Sequence, residues 1–243
     1  MKIKAGGVVF SCENPIEEKR ARTLFTKEEG TIRWLRETLR TGDRFLDVGA
    51  NVGSYALLAA KLVGPTGHVV AVEPHLATCQ RLLKNIRLNP PCVVTVLSVA
   101  LSHCEGFSPF YYASAASGSS GSQIGRAVGE NGSTFSAVAQ ERKFVTTVDR
   151  LCAQEVLGTP FSAKIDVDGQ EPLILAGMAG VLAQRKVRRL LVEIHPHTEQ
   201  NIVDFLGRYG YTLRERQYTA NGKAAIAGGA APMVVPYNGV FDA

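Results

Sequence analysis

Residues 44–55 read RFLDVGANVGSY, and this stretch decides the fold. Phe45, Leu46 and Val48 form a short apolar run that ends in a turn carrying Gly49 and Gly53, and the following SYALLAAKLV has the length and composition of a helix. A strand passing through a glycine turn into a helix is the opening of a βαβ unit. Outward from it the alternation persists, with a turn GPTGH at 64–68, a strand VVAVE at 69–73, a helix from His75 to Leu88 and a strand VVTVL at 93–97. A second block adds a strand candidate KFVTTV (143–148), a strand SAKIDV (162–167) and a helix EPLILAGMAGVLAQ (171–184), then a strand RRLLVEI (188–194) and a helix TEQNIVDFLGRYG (198–210). Strands alternating with helices imply right-handed crossovers and a parallel sheet, here spanning nearly the whole chain.

Residues 1–41 read as a cap ahead of a main domain at 42–243: a short strand KAGGVVFS (4–11), a charged segment, and TIRWLRETLR (31–40) with Ile32, Leu35 and Leu39 at helical spacing. The only tryptophan, Trp34, lies on that helix and is expected to pack. At 113–143 Ser, Gly and Ala dominate without an apolar period, which predicts either a mobile lid or a disordered insertion. Tyr111 and Tyr112 precede it and either line an acceptor pocket or pack at a strand end.

The 243 residues carry a net charge of +5, but the 27 basic side chains are scattered, so nucleic acid is not the expected partner. The cysteines, Cys12, Cys79, Cys92, Cys104 and Cys152, show no C-x-x-C pair and no even count, which fits small apolar residues in a reducing cytosol. Cys104 is the one to check for reactivity. No apolar run approaches the ~18 residues of a membrane span and the start lacks a signal-peptide core, so a cytoplasmic protein without a membrane partner is expected.

The glycine turn carries the first functional signal. A parallel sheet binds ligands beyond the carboxyl ends of its strands, where glycines and helix-start amides allow close approach. The spacing Gly49-x-x-x-Gly53 departs from the G-x-G-x-x-G dinucleotide fingerprint and disfavours a nicotinamide cofactor. Asp47 at one strand end suits an amino-acid ammonium, and Glu73 at the next strand end suits the two ribose hydroxyls. S-adenosylmethionine carries both groups at its two polar ends.

At these residues the chain resembles the FkbM family of S-adenosylmethionine-dependent methyltransferases. The likeness runs through FLDVGANVGSYALLAA, VVAVEPHLATCQRLLKNIRLN, VLSVALSHCEG, and KIDVDGQEPLILAGMAGVL followed by LVEIHP, roughly residues 42–197. It implies a Rossmann-like, doubly wound α/β fold, with a seven-stranded sheet that is mostly parallel and has an antiparallel last strand. It also implies O-methylation as the usual activity. Carried over by position, Asp47, Gly49, Asn51 and Gly53 would line the methionine part, Glu73 would hold the ribose, and Ala100 would lie by the adenine. Asp168 stands where the family usually has a glutamate, one methylene longer. The expected acceptor is a small molecule or glycan.

The strand SAKIDVDGQE brings a second acidic cluster, with Lys164, Asp166 and Asp168 alternating on one side. Buried carboxylates need a partner, and Lys164 is the evident one for Asp166. Asp166 is the candidate for orienting or deprotonating an acceptor hydroxyl, and His195, after another strand end, is a second candidate base. Glu193, His195 and His197 alternate along an extended segment and with Asp166 or Asp168 offer ligand types, but type alone does not establish geometry and no metal ligand is assigned. Two rival readings remain at this stage: an NAD-dependent or nucleotide-sugar oxidoreductase on the same sheet, and a non-catalytic binding module.

Overall fold

A computed structural model of the chain describes residues 1–91, 93–130 and 132–243. The chain opens with a hairpin, β1 (Lys2–Ala5) and β2 (Val8–Ser11), where the sequence suggested one strand. Gly6 and Gly7 make the difference: both adopt positive φ, 56° and 79°, and reverse the chain between the two strands. Helices α1 (Pro15–Arg22) and α2 (Glu29–Thr38) follow. Asn14 caps α1 by accepting the Glu17 amide, with Pro15 at the first helical position. Trp34 of α2 is buried and meets the Phe45 ring at 6.2 Å, the packing role expected of it.

The central run is β3 (Arg44–Val48), α3 (Ser54–Val63), β4 (His68–Val72), α4 (Leu76–Arg87) and β5 (Val94–Leu97), in close agreement with the sequence pattern. The chain then leaves the main sheet. β6 (Ala100–Leu101), β7 (Gly106–Tyr112), β8 (Gln123–Ile124) and β9 (Ala139–Thr146) form a separate four-stranded sheet in the order β6-β9-β7-β8. KFVTTV, expected in the main sheet, belongs mostly to β9, which pairs antiparallel with β7 from Gly106↔Val145 to Tyr112↔Ala139. Half of β9 faces water, which an antiparallel sheet tolerates and a central parallel strand does not.

The chain returns through α5 (Val148–Ala153), β10 (Phe161–Ile165), α6 (Glu171–Ala176), α7 (Ala179–Ala183), β11 (Val187–Ile194) and α8 (Glu199–Arg208). It ends with β12 (Thr212–Gln217), α9 (Ala220–Ala227) and β13 (Tyr237–Asp242). The single helix expected at 171–184 is two. The break falls at Gly177, where a Cβ would stand 2.0 Å from the Ser102 carbonyl oxygen. Asp149 then caps α7, accepting the Gly180 and Val181 amides at 2.8 Å each.

The main sheet has the order β12-β13-β11-β10-β3-β4-β5, with β13 antiparallel to both neighbours and the other pairings parallel. This is the Rossmann-like doubly wound sheet with one antiparallel strand. All five residues of β10 are buried, as a strand covered on both faces requires. One core layer gathers Leu46, Val70 and Ile165 with Ile174, Leu182 and Ile202; the other gathers Phe45, Val69 and Leu191 with Trp34, Leu35 and Leu57. Sequence order reverses between β3 and β10, which opens a crevice at their carboxyl ends.

Cys12 and Cys79 are buried, Cys152 is half-buried and Cys104 is exposed; Cys92 lies outside the described residues. Among the described residues no helix is long and apolar enough to cross a membrane.

Candidate active site

A cavity occupies the reversal point, and the ends of β3, β4 and β10 supply its floor. Gly49, at φ 80°, starts the turn after β3, and its amide and that of Ala50 donate to the Val72 carbonyl at 3.0 Å each. A Cβ on Gly49 would sit 2.0 Å from the carbonyl oxygen of Asp166, so glycine is required both by the backbone conformation and by the closeness of β10. Asn51 also takes a left-handed conformation, φ 50°, which aims its amide at Glu73.

Glu73 is 6% exposed and accepts the Asn51 amide on one carboxylate oxygen and the His75 amide on the other, both at 2.8 Å. Burial pushes its pKa up to about 7, while those two backbone bonds pull the other way. Beside Glu73 opens an apolar slot lined by Val48, Val72, Ala100, Leu101, Phe110 and Ile174. Ala100, at the start of β6, is one of the residues lining this slot.

Two carried-over residues stand behind the cavity wall. Asp47 is fully buried on β3, paired in register with Lys164 of β10 and with Ala71 of β4. Burial raises its pKa to about 6, with the Lys164 ammonium and the Ala56 amide at the start of α3 favouring its charge. Gly53, φ 92°, ends the turn where a Cβ would come within 2.5 Å of Leu82 on α4. Its place in the structure is to let two helices pack.

The end of β10 supplies the charged wall. Lys164 is 1% exposed and its Nζ lies 2.6 Å from Asp166 Oδ2 and 4.9 Å from the Tyr55 ring centroid. Burial raises the Asp166 carboxyl, but Lys164 outweighs burial and holds it below the ordinary range. Glu193, at the end of β11, joins the same wall; burial and the Asp166 charge push it up to about 8. His195 is buried and does not line the cavity. Its Nε2 lies 3.7 Å from Glu193 Oε2 and 3.2 Å from Glu130 Oε2, and Glu193 above all raises its pKa to about 9.

The roof comes from the Ser/Gly segment, for which the sequence offers a lid or a disordered insertion, and from the N-terminal cap, for which it offers no role at the site. Arg20, Leu24, Lys27 and Glu28 of the N-terminal cap line the cavity, with Ser119, Ser120 and Ser122. The Ser/Gly segment is tied down at several points: the Gly118 carbonyl accepts Arg20 Nε at 2.6 Å, the Ser119 carbonyl accepts Asn51 Nδ2 at 3.1 Å, and the Gly121 amide donates to Asp168 at 2.7 Å. Asp168 therefore meets a backbone amide of the roof. Tyr112 packs at a strand end, donating to Glu141 and meeting the His75 ring edge-on. The basic residues of 15–28 were a visible charged run, but nothing in a one-dimensional pattern says which strand ends it will cover.

A model of the methyltransferase FkbM domain matches residues 47–213, more than half of the chain. The chain belongs to the FkbM methyltransferase family. It is 29% identical over 188 residues to the hexuronic acid methyltransferase AglP of Haloferax volcanii, covering 76% of this chain and 70% of that protein. Among solved structures, an FkbM methyltransferase from Methylobacillus flagellatus superposes with a TM-score of 0.53 at 14% identity, over 85% of this chain and 45% of that one. A putative rRNA methylase from Clostridium thermocellum superposes at 0.52 with 11% identity, over 89% and 96%. These two show a shared fold.

This FkbM chain is thus an S-adenosylmethionine-dependent methyltransferase, and its residues fit that cofactor. Glu73 spends one lone pair of each oxygen on the turn and keeps the others for a diol. The apolar slot beside it has the character of a purine site. Asp166, kept ionised by Lys164, sets a negative charge on this wall, opposite in sign to a sulfonium.

Proposed function

We propose that the protein transfers the methyl group of S-adenosylmethionine to a hydroxyl oxygen of a small molecule or sugar. When bound, the cofactor supplies a methyl carbon made electrophilic by its sulfonium. Gly49, Asn51 and Glu73 would hold it along the ends of β3 and β4 and Ala100 from the start of β6, with Asp47 acting from behind through the field it shares with Lys164. The observation that carries the reading is Asp166. It is a carboxylate kept charged by a fully buried lysine, at the floor of a cavity roofed by Arg20, Lys27 and serines.

In that place Asp166 accepts a hydrogen bond from an acceptor hydroxyl and aims the oxygen lone pair at the methyl carbon. Asp166 would take the hydroxyl proton as that oxygen is methylated, when the oxygen has become acidic enough to release it to a carboxylate whose own pKa Lys164 holds low. The cap and the serine segment exclude water, which protects the donor and strengthens the alignment. His195 does not reach the cavity and would act only through Glu193.

A sugar acceptor is supported by the likeness to a hexuronic acid methyltransferase and by a polar, serine-rich roof suited to several hydroxyls. The test is methyl transfer from labelled cofactor to a panel of hexuronic acids, neutral glycosides and simple alcohols. Wild type should label a sugar hydroxyl, and Asp166→Asn should lose at least about a hundredfold in rate, the size of a general-base contribution, with S-adenosylhomocysteine affinity unchanged. Equal rates in the two proteins would remove Asp166 from the chemistry.

A further inference from the structure

We propose that Glu130, Glu193 and His195 form a divalent-cation site at the acceptor end of the cavity. The three come from separate places in the chain: Glu193 and His195 from the end of β11, and Glu130 from the Ser/Gly segment. Their ligand atoms lie within 4.8 Å of one another. His195 Nε2 is 3.2 Å from Glu130 Oε2 and 3.7 Å from Glu193 Oε2. Ligands held about 2.1 Å from one ion stand about 3.0 Å apart at right angles, about 3.4 Å apart in a tetrahedron and about 4.2 Å apart on opposite sides of the ion, so the two histidine separations need only a small contraction and the carboxylates must close to one of these spacings.

A second observation points to an occupant. His195 is 6% exposed, yet its Nε2 makes no hydrogen bond, with Glu130 Oε2 at 3.2 Å and Glu193 Oε2 at 3.7 Å; Glu193 Oε2 is likewise buried without one. A buried nitrogen and a buried oxygen converging without bonding each other leave two groups to be satisfied by a third party. Nitrogen and oxygen donors together suit a first-row divalent ion, with its remaining positions open to water or an acceptor hydroxyl.

The placement of Glu130 is built into the fold. Gly169, φ 103°, follows Asp168 in the KIDVDGQE motif, and a Cβ there would stand 3.3 Å from Glu130 Cα. Asp168 holds Gly121 of the same segment. The motif thus presses the segment onto the end of β11 and delivers a carboxylate to the histidine. The local charge agrees: Lys27 is engaged by Glu28 and Lys164 by Asp166, which leaves Glu193 in a cavity wall without a lysine of its own. Glu193 both lines the cavity and belongs to the cluster, so an ion here would touch acceptor oxygens beside Asp166. Such an ion would also fasten the segment over the bound acceptor.

The sequence offered Glu193, His195 and His197 with Asp166 or Asp168 as ligand types. The structure replaces His197, which is exposed, by Glu130, and leaves Asp166 to Lys164.

The test is titration of chelator-treated full-length protein with manganese(II), read by loss of the free-ion electron paramagnetic resonance signal, with neither cofactor nor acceptor present. One ion per chain should bind. Glu130→Gln, a change at a half-exposed side chain, should weaken uptake at least tenfold, as should His195→Asn. Glu215→Gln, remote from the site, should leave it unchanged. S-adenosylhomocysteine affinity should be the same in wild type and Glu130→Gln, which keeps failure of the cation site distinct from failure of the cofactor reading. No uptake by wild type up to about 1 mM, where even weak protein sites fill, would overturn the proposal, as would uptake undiminished in Glu130→Gln.

Discussion

Replacing Glu73 by glutamine separates the two duties that the structure gives this side chain. The carboxylate accepts two backbone amides, from Asn51 and His75, and keeps one lone pair on each oxygen for the ribose diol. Glutamine retains one acceptor oxygen and sets an NH2 group against the other amide. Two buried donors then face each other, at a cost of about 1–3 kcal/mol in stability. For the cofactor, one of two hydroxyl contacts to a charged group is lost, about 1.5–3 kcal/mol, which corresponds to roughly 10- to 150-fold weaker binding. Calorimetric titration with S-adenosylhomocysteine at pH 8, with thermal unfolding of the free protein alongside, measures both terms. A lowered melting temperature with affinity held within about threefold would show that Glu73 serves the turn alone, and the ribose assignment would fall.

The same residue predicts pH effects of two kinds. A diol binds the ionised carboxylate, so with a pKa of about 7 S-adenosylhomocysteine should bind about tenfold more weakly at pH 6 than at pH 8, and Glu73→Gln should flatten that dependence. For the free protein the folded pKa lies above the unfolded one, so the folded state binds more protons. Stability from this group is full below about 4.5 and declines as pH rises through 7, with Glu171, also raised to about 7, adding in the same sense; denaturant unfolding across that range measures it. Gly49→Ala should cost well over the ~1 kcal/mol of a left-handed alanine, because its Cβ meets backbone at 2.0 Å, and the melting temperature should fall accordingly. Arg81 joins the cap to α4 through Glu17, 2.9 Å away and 1% exposed. Arg81→Ala strands that carboxylate, at about 3–5 kcal/mol, and should make residues 1–28 the first target of limited proteolysis while wild type resists.

Much of the fold is legible along the chain because strands buried on both faces must be apolar and their ends must be marked by turn residues. RFLDV, SYALLAAKLV and the helix before Leu88 fall where the pattern puts them. Two elements depart from the pattern for one cause. β9 lies in the second sheet and the helix at 171–184 breaks at Gly177 because both depend on a neighbour distant in sequence: β7 in one case and the Ser102 carbonyl in the other. The places of Gly53 and Asp47 show the same dependence: they are set by Leu82 and Lys164, neighbours that a local reading does not see.

The sequence by itself determined the donor side: a strand, a glycine turn and an acid at the next strand end lie within thirty residues, and short-range geometry relates them whatever the rest of the chain does. Only the tertiary structure decided the acceptor side. Asp166 meets Gly49 because β10 returns to lie against β3, and Glu130 meets His195 because the KIDVDGQE turn presses a serine-rich segment onto the end of β11. Residues more than sixty positions apart are joined there by sheet topology, a long-range property that no local periodicity encodes.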